Sequence, residues 1–160
     1  MKTLFRSFTL VLLVLLLCIP ISAEANLDAK ALSEKLQEAV PAKFGYVDNS
    51  EYYMSSYFSG LEDVDDFYIV TCADSTNFNE IGVFHLKSNE HLAANQKLLK
   101  KYLLKIKQNF ESGVVYNIEE YPKFENAKVF SVGNYLVYTV LDRAASQKAE
   151  QAARSALKKA

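Results

Sequence analysis

Tryptophan is absent, cysteine and histidine occur twice each, and glycine and proline supply only five and three residues. With His85 and His91 as the only histidines, no His-Glu-x-x-His pair and no Cys-x-x-Cys, the ligand sets of common zinc sites are missing. So few glycines and prolines argue against a low-complexity tail or a repeat array. There is no Gly-x-Ser-x-Gly elbow, no phosphate-cradling glycine loop and no dinucleotide fingerprint. Neither sign of charge dominates, with 18 basic against 19 acidic residues, so nothing global points to nucleic acid. What is abundant is tyrosine and phenylalanine, ten of each, which describes an aromatic-rich core and half-buried strands.

The first 25 residues read as an export signal. Lys2 and Arg6 form a positive start, Phe8 to Ile19 an apolar run broken by Pro20, and Ala23-Glu24-Ala25 a small-x-small cleavage site. Cleavage there starts the mature chain at Asn26 and places it outside the cytoplasm, secreted or in the cell envelope. An uncleaved anchor fits less well, because only 17 uncharged residues separate Arg6 from Glu24, against about 20 for a spanning helix. Lipidation of Cys18 is the third reading. It requires a small residue before the cysteine, where Leu17 stands. Residues 26–160 are expected to form one globular domain without a transmembrane span, with a formal charge of −2. Cys72 is its single cysteine, so packing rather than a disulfide must hold it together.

Leu27, Ala31, Leu32, Leu36, Ala39 and Val40 recur at helical spacing before Pro41, predicting a first amphipathic helix. Asn49 or Ser50 caps a short second helix carrying Tyr53, Met54, Tyr57 and Phe58, ended by Ser59-Gly60. After the acidic linker from Glu62 to Asp66, Phe67 to Ala73 and Glu80 to Lys87 read as an antiparallel hairpin with a long loop. Leu92, Leu99, Leu103, Ile106 and Phe110 then stripe a long helix, with Ser88 or Asn89 as cap and Gly113 just past its end. Val114 to Asn126 reads as an extended edge. Lys128 to Val132 and Tyr135 to Leu141 make a second hairpin through Gly133-Asn134, a type II′ turn, before an alanine-rich helix from Ala144 to Lys159. The expected class is α+β in the order α-α-ββ-α-ββ-α: a four-stranded, mostly antiparallel sheet of two β-hairpins with helices packed on one face.

Four groups of residues invite a chemical reading. Cys72 and His85 lie on adjacent predicted strands, but a loop centred near Thr76 sets Cys72 opposite Ile81 and His85 opposite Tyr68, about 13 Å apart. A dyad needs about 3 Å, so Cys72 reads as buried and inert. The acids Glu62, Asp63, Asp65 and Asp66 suit either a solvated turn or calcium, although Phe67 and Tyr68 break the EF-hand pattern. Lys97, Lys100, Lys101, Lys105 and Lys107 run along one helix, extended by Lys87. They read as its wet side or as a face for lipid headgroups or an anionic envelope polymer. Tyr46, Tyr52, Tyr53, Tyr57 and Phe58 are either core and hinge packing or a partner or glycan surface, the latter without the tryptophan that such platforms favour. No metal, cofactor or catalytic residue is assigned.

Tyr57-Phe58-Ser59-Gly60 with the acids that follow, Asn79-Glu80-Ile81-Gly82-Val83-Phe84 leading into the lysine-rich helix, Tyr121 to Ala127, and Gly133-Asn134-Tyr135 together resemble the bacterial domain-of-unknown-function 4358 family. The resemblance covers about residues 30 to 142 and implies a small exported or lipid-anchored envelope protein, with no activity or residue roles to carry over. The leading expectation is a non-enzymatic extracytoplasmic domain that binds another envelope protein or polymer, or serves as an accessory subunit. The alternatives are a secreted hydrolase whose carboxylates, such as Glu80 and Asp142, are assembled only by the fold, and a binder of anionic polymer through Lys97 to Lys107.

Overall fold

The computed structural model describes residues 27–114 and 117–158. The leader reading, with Cys18 and the junction at Ala25, falls outside the described residues. Among those residues are five helices and one five-stranded antiparallel sheet.

Helix α1, Ala29–Ala39, begins where the Asp28 carboxylate accepts from the Ala31 N–H at 2.6 Å, and it buries Leu32 and Leu36. Strand β1, Tyr46–Asp48, follows Gly45, whose φ of 78° turns the chain. Helix α2 spans Ser50–Tyr57. Asn49 sits at its cap position, yet its amide donates to Thr71 at 2.6 Å, and Asp48 receives the Ser50 N–H instead. Strands β2, Val64–Cys72, and β3, Glu80–Leu86, form the first hairpin. Helix α3, Leu92–Asn109, buries Leu99, Tyr102 and Leu103 and is closed by Gly113 at φ 79°. A single 3-10 turn, Ile118–Glu120, precedes helix α4, Tyr121–Glu125, which is followed by strands β4, Lys128–Val132, and β5, Tyr135–Val140. Gly133 takes φ 56° between them, as its place in a II′ turn demands. Helix α5, Arg143–Lys158, starts where Asp142 accepts from the Ala145 N–H at 2.8 Å.

The strand order is β1-β2-β3-β5-β4, with every pairing antiparallel. Both expected hairpins are present, but the sheet has five strands rather than four. The additional β1 is a three-residue edge paired to β2 through Tyr46↔Cys72. Nor are the helices confined to one face. Because side chains alternate along a strand, Ile81, Val83 and Val137 face α1 and α5, while Phe84, Leu86, Leu136 and Tyr138 face α2, α3 and α4. All six residues of β5 are buried, which requires cover on both sides. The segment expected to be extended between Val114 and Asn126 contains α4 instead, with Pro122 in its first turn where a missing N–H does no harm.

The β2–β3 register sets Thr71 opposite Glu80 and Val70 opposite Ile81. Across the hairpin Cys72 therefore lies opposite Asn79 rather than Ile81, and His85 lies beside Asp66 rather than Tyr68. The tighter loop explains the shift: Asp74 accepts from the Thr76 N–H at 2.9 Å, and the Cys72 N–H reaches the Asn79 carbonyl at 2.9 Å. Cys72 and His85 remain at opposite ends of the hairpin, and Cys72 is buried as expected.

Candidate functional site

Glu80 opens β3 and points to the same face as Gly82, Phe84 and Leu86. It is the one buried acid among the described residues, 7% exposed, and no basic side chain comes within ion-pair distance of it. Three tyrosines hold it instead. Tyr102 from α3 and Tyr138 from β5 donate to Oε1 at 2.9 and 2.5 Å, and Tyr53 from α2 donates to Oε2 at 3.1 Å.

Each tyrosine reaches this point for a structural reason. Tyr138 is opposite Gly82 across the β3–β5 pair, and the absent side chain at 82 leaves room for its ring to lie over the backbone towards Glu80. Tyr102 belongs to the buried stripe of α3, with its ring 4.8 Å from the fully buried Phe58. Tyr53 projects from α2 and packs edge-on to Tyr102 at 6.3 Å.

Burial pushes the Glu80 carboxyl up to about 7, against the pull of the Tyr138, Tyr102 and Tyr53 hydrogen bonds, which favour the anion. Burial and the neighbouring Glu80 charge drive the Tyr53, Tyr102 and Tyr138 hydroxyls well above the usual phenol range, so all three remain proton donors at physiological pH.

A cleft of about 390 Å³ opens onto this cluster. Its walls include Tyr53 and Tyr57 of α2, Tyr102 and Ile106 of α3, Phe78 of the β2–β3 loop and Phe124 of α4, with Glu80 among them. That is the size and mixed aromatic and polar lining of a small-molecule site. Cys72 also lines it, without a histidine beside it. Asp74 is the only other acid in the lining, and no lysine, arginine or histidine contributes. A wider groove of about 730 Å³ runs past Asp48, Tyr52, Asp65 and Tyr68. Three of its four acids are engaged: Asp48 by Ser50, Asp65 by His85 at 3.6 Å, and Asp66 by the Ala29 N–H, while Glu51 is exposed on the first turn of α2.

The other residues singled out in the sequence are scattered. Asp142 does not join Glu80, because its carboxylate caps α5 and it lies outside the cleft lining. The acidic run is split: Glu62 and Asp63 lie 3.3 and 3.4 Å from His91, Asp65 turns to His85, and Asp66 to α1. Asp63, Glu90 and His91 converge at the surface. Lys97, Lys100, Lys101 and Lys105 are all exposed on α3 without an ion pair among the described residues, whereas Lys107 lies 3.8 Å from Glu111. Of the aromatic cluster, Tyr52 and Tyr57 are exposed, Tyr53 is committed to Glu80, and Phe58 is fully buried, so Phe58 offers no partner surface. Phe58 is drawn inward because it fills the space between Phe84, Tyr102 and Tyr138. Tyr102 and Tyr138 were not distinguishable as site residues, since they stand 22 and 58 positions from Glu80. The one local signal was an acid, and a glycine two residues later, on a strand otherwise apolar.

The model of a family described as "Domain of unknown function (DUF4358)" matches residues 60–141, from Gly60 ahead of the acidic linker to the end of the second hairpin. That span contains Glu80, Gly82, Tyr102 and Tyr138, and it starts later than the resemblance through residue 30 suggested, leaving Tyr53 and Tyr57 outside. No curated protein and no solved structure matches the chain.

Proposed function

The chain belongs to the DUF4358 family, whose function is unknown, and we propose that this member is a non-enzymatic binding domain working outside the cytoplasm, with the aromatic cleft at Glu80 as its ligand site. The observation that carries this reading is the cleft itself: a cavity of about 390 Å³ with a buried carboxyl held by three tyrosines from three separate elements. Such a cluster is rigid, because each hydroxyl has one buried acceptor and each ring is packed against another. A rigid cavity that combines aromatic walls with fixed polar groups suits recognition of a small ligand or of one side chain of a partner. The leader pattern in residues 1–25 supports the extracytoplasmic address.

Hydrolysis by two carboxylates has less support, because Asp142 is occupied at the start of α5 and lies outside the cleft that Glu80 lines. The test is an NMR screen of a fragment library against the purified protein. Ligands should perturb the amides of Tyr53, Tyr57, Phe78, Asn79 and Tyr102 together. A library that leaves this set unmoved would remove the reading, as would a turnover abolished by Glu80→Gln.

A second surface has its own observation. Lys97, Lys100, Lys101 and Lys105 surround Leu104 on α3, and Leu104 is 56% exposed. Four cations without an ion pair among the described residues, set around an apolar side chain, suit docking on an anionic polymer or headgroup layer, which would hold the cleft near the envelope. Co-sedimentation with anionic polymer that is indifferent to salt, or to Lys101→Glu with Lys105→Glu, would exclude it.

A further inference from the structure

We infer that the ligand of the Glu80 cleft is an organic cation, an ammonium group held between the tyrosine rings and the Glu80 carboxylate. The inference rests on the binding reading above and names its ligand class.

The charge pattern comes first. A buried carboxylate is ordinarily compensated by a basic partner, because an unpaired charge away from water is expensive. Glu80 has no such partner among the described residues, and neither does the lining of the cleft, where Asp74 adds a second negative group. The three tyrosine hydroxyls solvate the anion without neutralising it. A bound ammonium would supply the missing positive charge.

The hydrogen-bond pattern agrees. Oε1 already accepts two bonds, from Tyr102 and Tyr138, whereas Oε2 accepts one, from Tyr53. A carboxylate oxygen has room for a second donor, so Oε2 is the atom left to receive an N–H or to face a quaternary centre. Lys123 reaches the β2–β3 loop but is not among the residues lining the cleft, and its Nζ is held by Asn77 at 2.7 Å and Glu120 at 2.5 Å.

The walls supply the third element. Tyr53, Tyr57 and Tyr102 pack at ring separations of 5.3 to 6.3 Å, and Phe78 lies 5.6 Å from Phe124. Aromatic faces carry negative potential and attract cations that approach within about 6 Å of a ring centroid, most strongly where water is excluded. Tyrosine and phenylalanine faces also favour the alkyl groups of a substituted ammonium. A neutral ligand of the same shape gains the contacts but not the charge term.

The experiment compares choline with 3,3-dimethylbutan-1-ol, its uncharged isostere, by NMR titration of the purified protein at pH 8, with ethanolammonium as a third probe. Choline or ethanolammonium should bind about tenfold or more tightly than the neutral alcohol and shift the resonances of Tyr53, Tyr57 and Tyr102. If choline wins, the ring faces carry recognition; if ethanolammonium wins, N–H donation to Oε2 does. Glu80→Gln should abolish the preference for charge while keeping the neutral contacts. Tyr57→Ala, at a residue 40% exposed and therefore tolerant, should weaken cation binding without disturbing the fold. Equal affinity for the cations and the alcohol would overturn the inference yet leave a ligand-binding cleft. Cations that shift nothing in the cleft would overturn it too, and the fragment screen would then decide the broader reading separately.

Discussion

The ring of Tyr138 occupies the space where residue 82 would carry a side chain: a Cβ built on Gly82 would lie 2.0 Å from Tyr138 Cε1. The two residues face each other across β3 and β5, and this contact lets the Tyr138 hydroxyl reach Glu80 two residues along β3. The glycine is thus a component of the site, although it offers no functional group.

Gly82→Ala is expected to expel the Tyr138 ring and break its hydrogen bond to Glu80, destabilising the fold by about 3 kcal/mol through overpacking and a lost buried bond. Denaturant unfolding of the single variants and of Gly82→Ala with Tyr138→Ala checks this. The alanine at 82 should cost much less when Tyr138 is already truncated, because the clash is shared between the two positions. Additive effects would mean that the ring has another place to go.

The hairpins and the three long helices were legible because their evidence is local: Leu32 and Leu36 at helical spacing, Leu99 and Leu103 likewise, the alanine-rich run after Leu141, and Gly133-Asn134 at a strand junction. Strand β1 was not legible, since Tyr46–Asp48 is too short to show alternation and is a strand only because β2 lies beside it. The double-sided helical cover was written in β3, where Ile81 and Val83 are apolar on one face and Phe84 and Leu86 on the other, a pattern that a sheet wet on one side does not show. Helix α4 was not legible, because Tyr121–Glu125 is too short to show a helical period, although Pro122 stands where a helix can start. The site was legible only in pieces, as an isolated glutamate and, separately, as the aromatic cluster that holds Tyr53 and Tyr57. Tyr53, Tyr102 and Tyr138 look in sequence like any core tyrosine, and only the crossing of α2 and α3 over the sheet converges them.

Asn95 is nearly fully buried on α3 and makes a reciprocal pair with Glu62, accepting its N–H at 3.0 Å and donating to its carbonyl at 2.8 Å. It fixes the linker before β2 to the helix that carries Tyr102. Asn95→Ala leaves the backbone groups without their partner and should destabilise by about 2 kcal/mol. Asn95→Asp should be worse above pH 5, since a carboxylate would replace the amide donor facing the Glu62 carbonyl. Thermal melts of the two variants, ordered Ala above Asp at pH 7 and converging at pH 4, are the expected result; the reverse order would show that water takes the place of the pair.

The leader pattern predicts a defined product. Expressed with residues 1–25 in a secreting bacterial host, the protein should be recovered outside the cytoplasm with Asn26 as its first residue, as read by N-terminal sequencing. A mature chain that begins at Cys18 and carries the mass of acyl chains would instead establish lipidation, despite Leu17.

Stability should fall with rising pH across the titration of Glu80. The folded carboxyl is raised to about 7 by burial, while its ordinary value is 4.5. Between those values the folded protein keeps a proton that the unfolded chain has released, so unfolding becomes easier as pH increases. The stabilisation is complete below about pH 4.5 and is lost as pH passes through about 7, a change on the order of 3 kcal/mol. Glu80→Gln retains a polar side chain that cannot ionise, so its stability should lack this component, and the difference between the two proteins should grow from pH 5 to pH 8. Denaturant midpoints measured at four or five pH values give that difference directly. A bound ammonium stabilises the ionised carboxyl and should flatten the wild-type slope, whereas the neutral alcohol should leave it unchanged. Parallel profiles for wild type and Glu80→Gln without ligand would mean that the three tyrosines hold the carboxylate ionised well below pH 7, with their hydrogen bonds outweighing its burial.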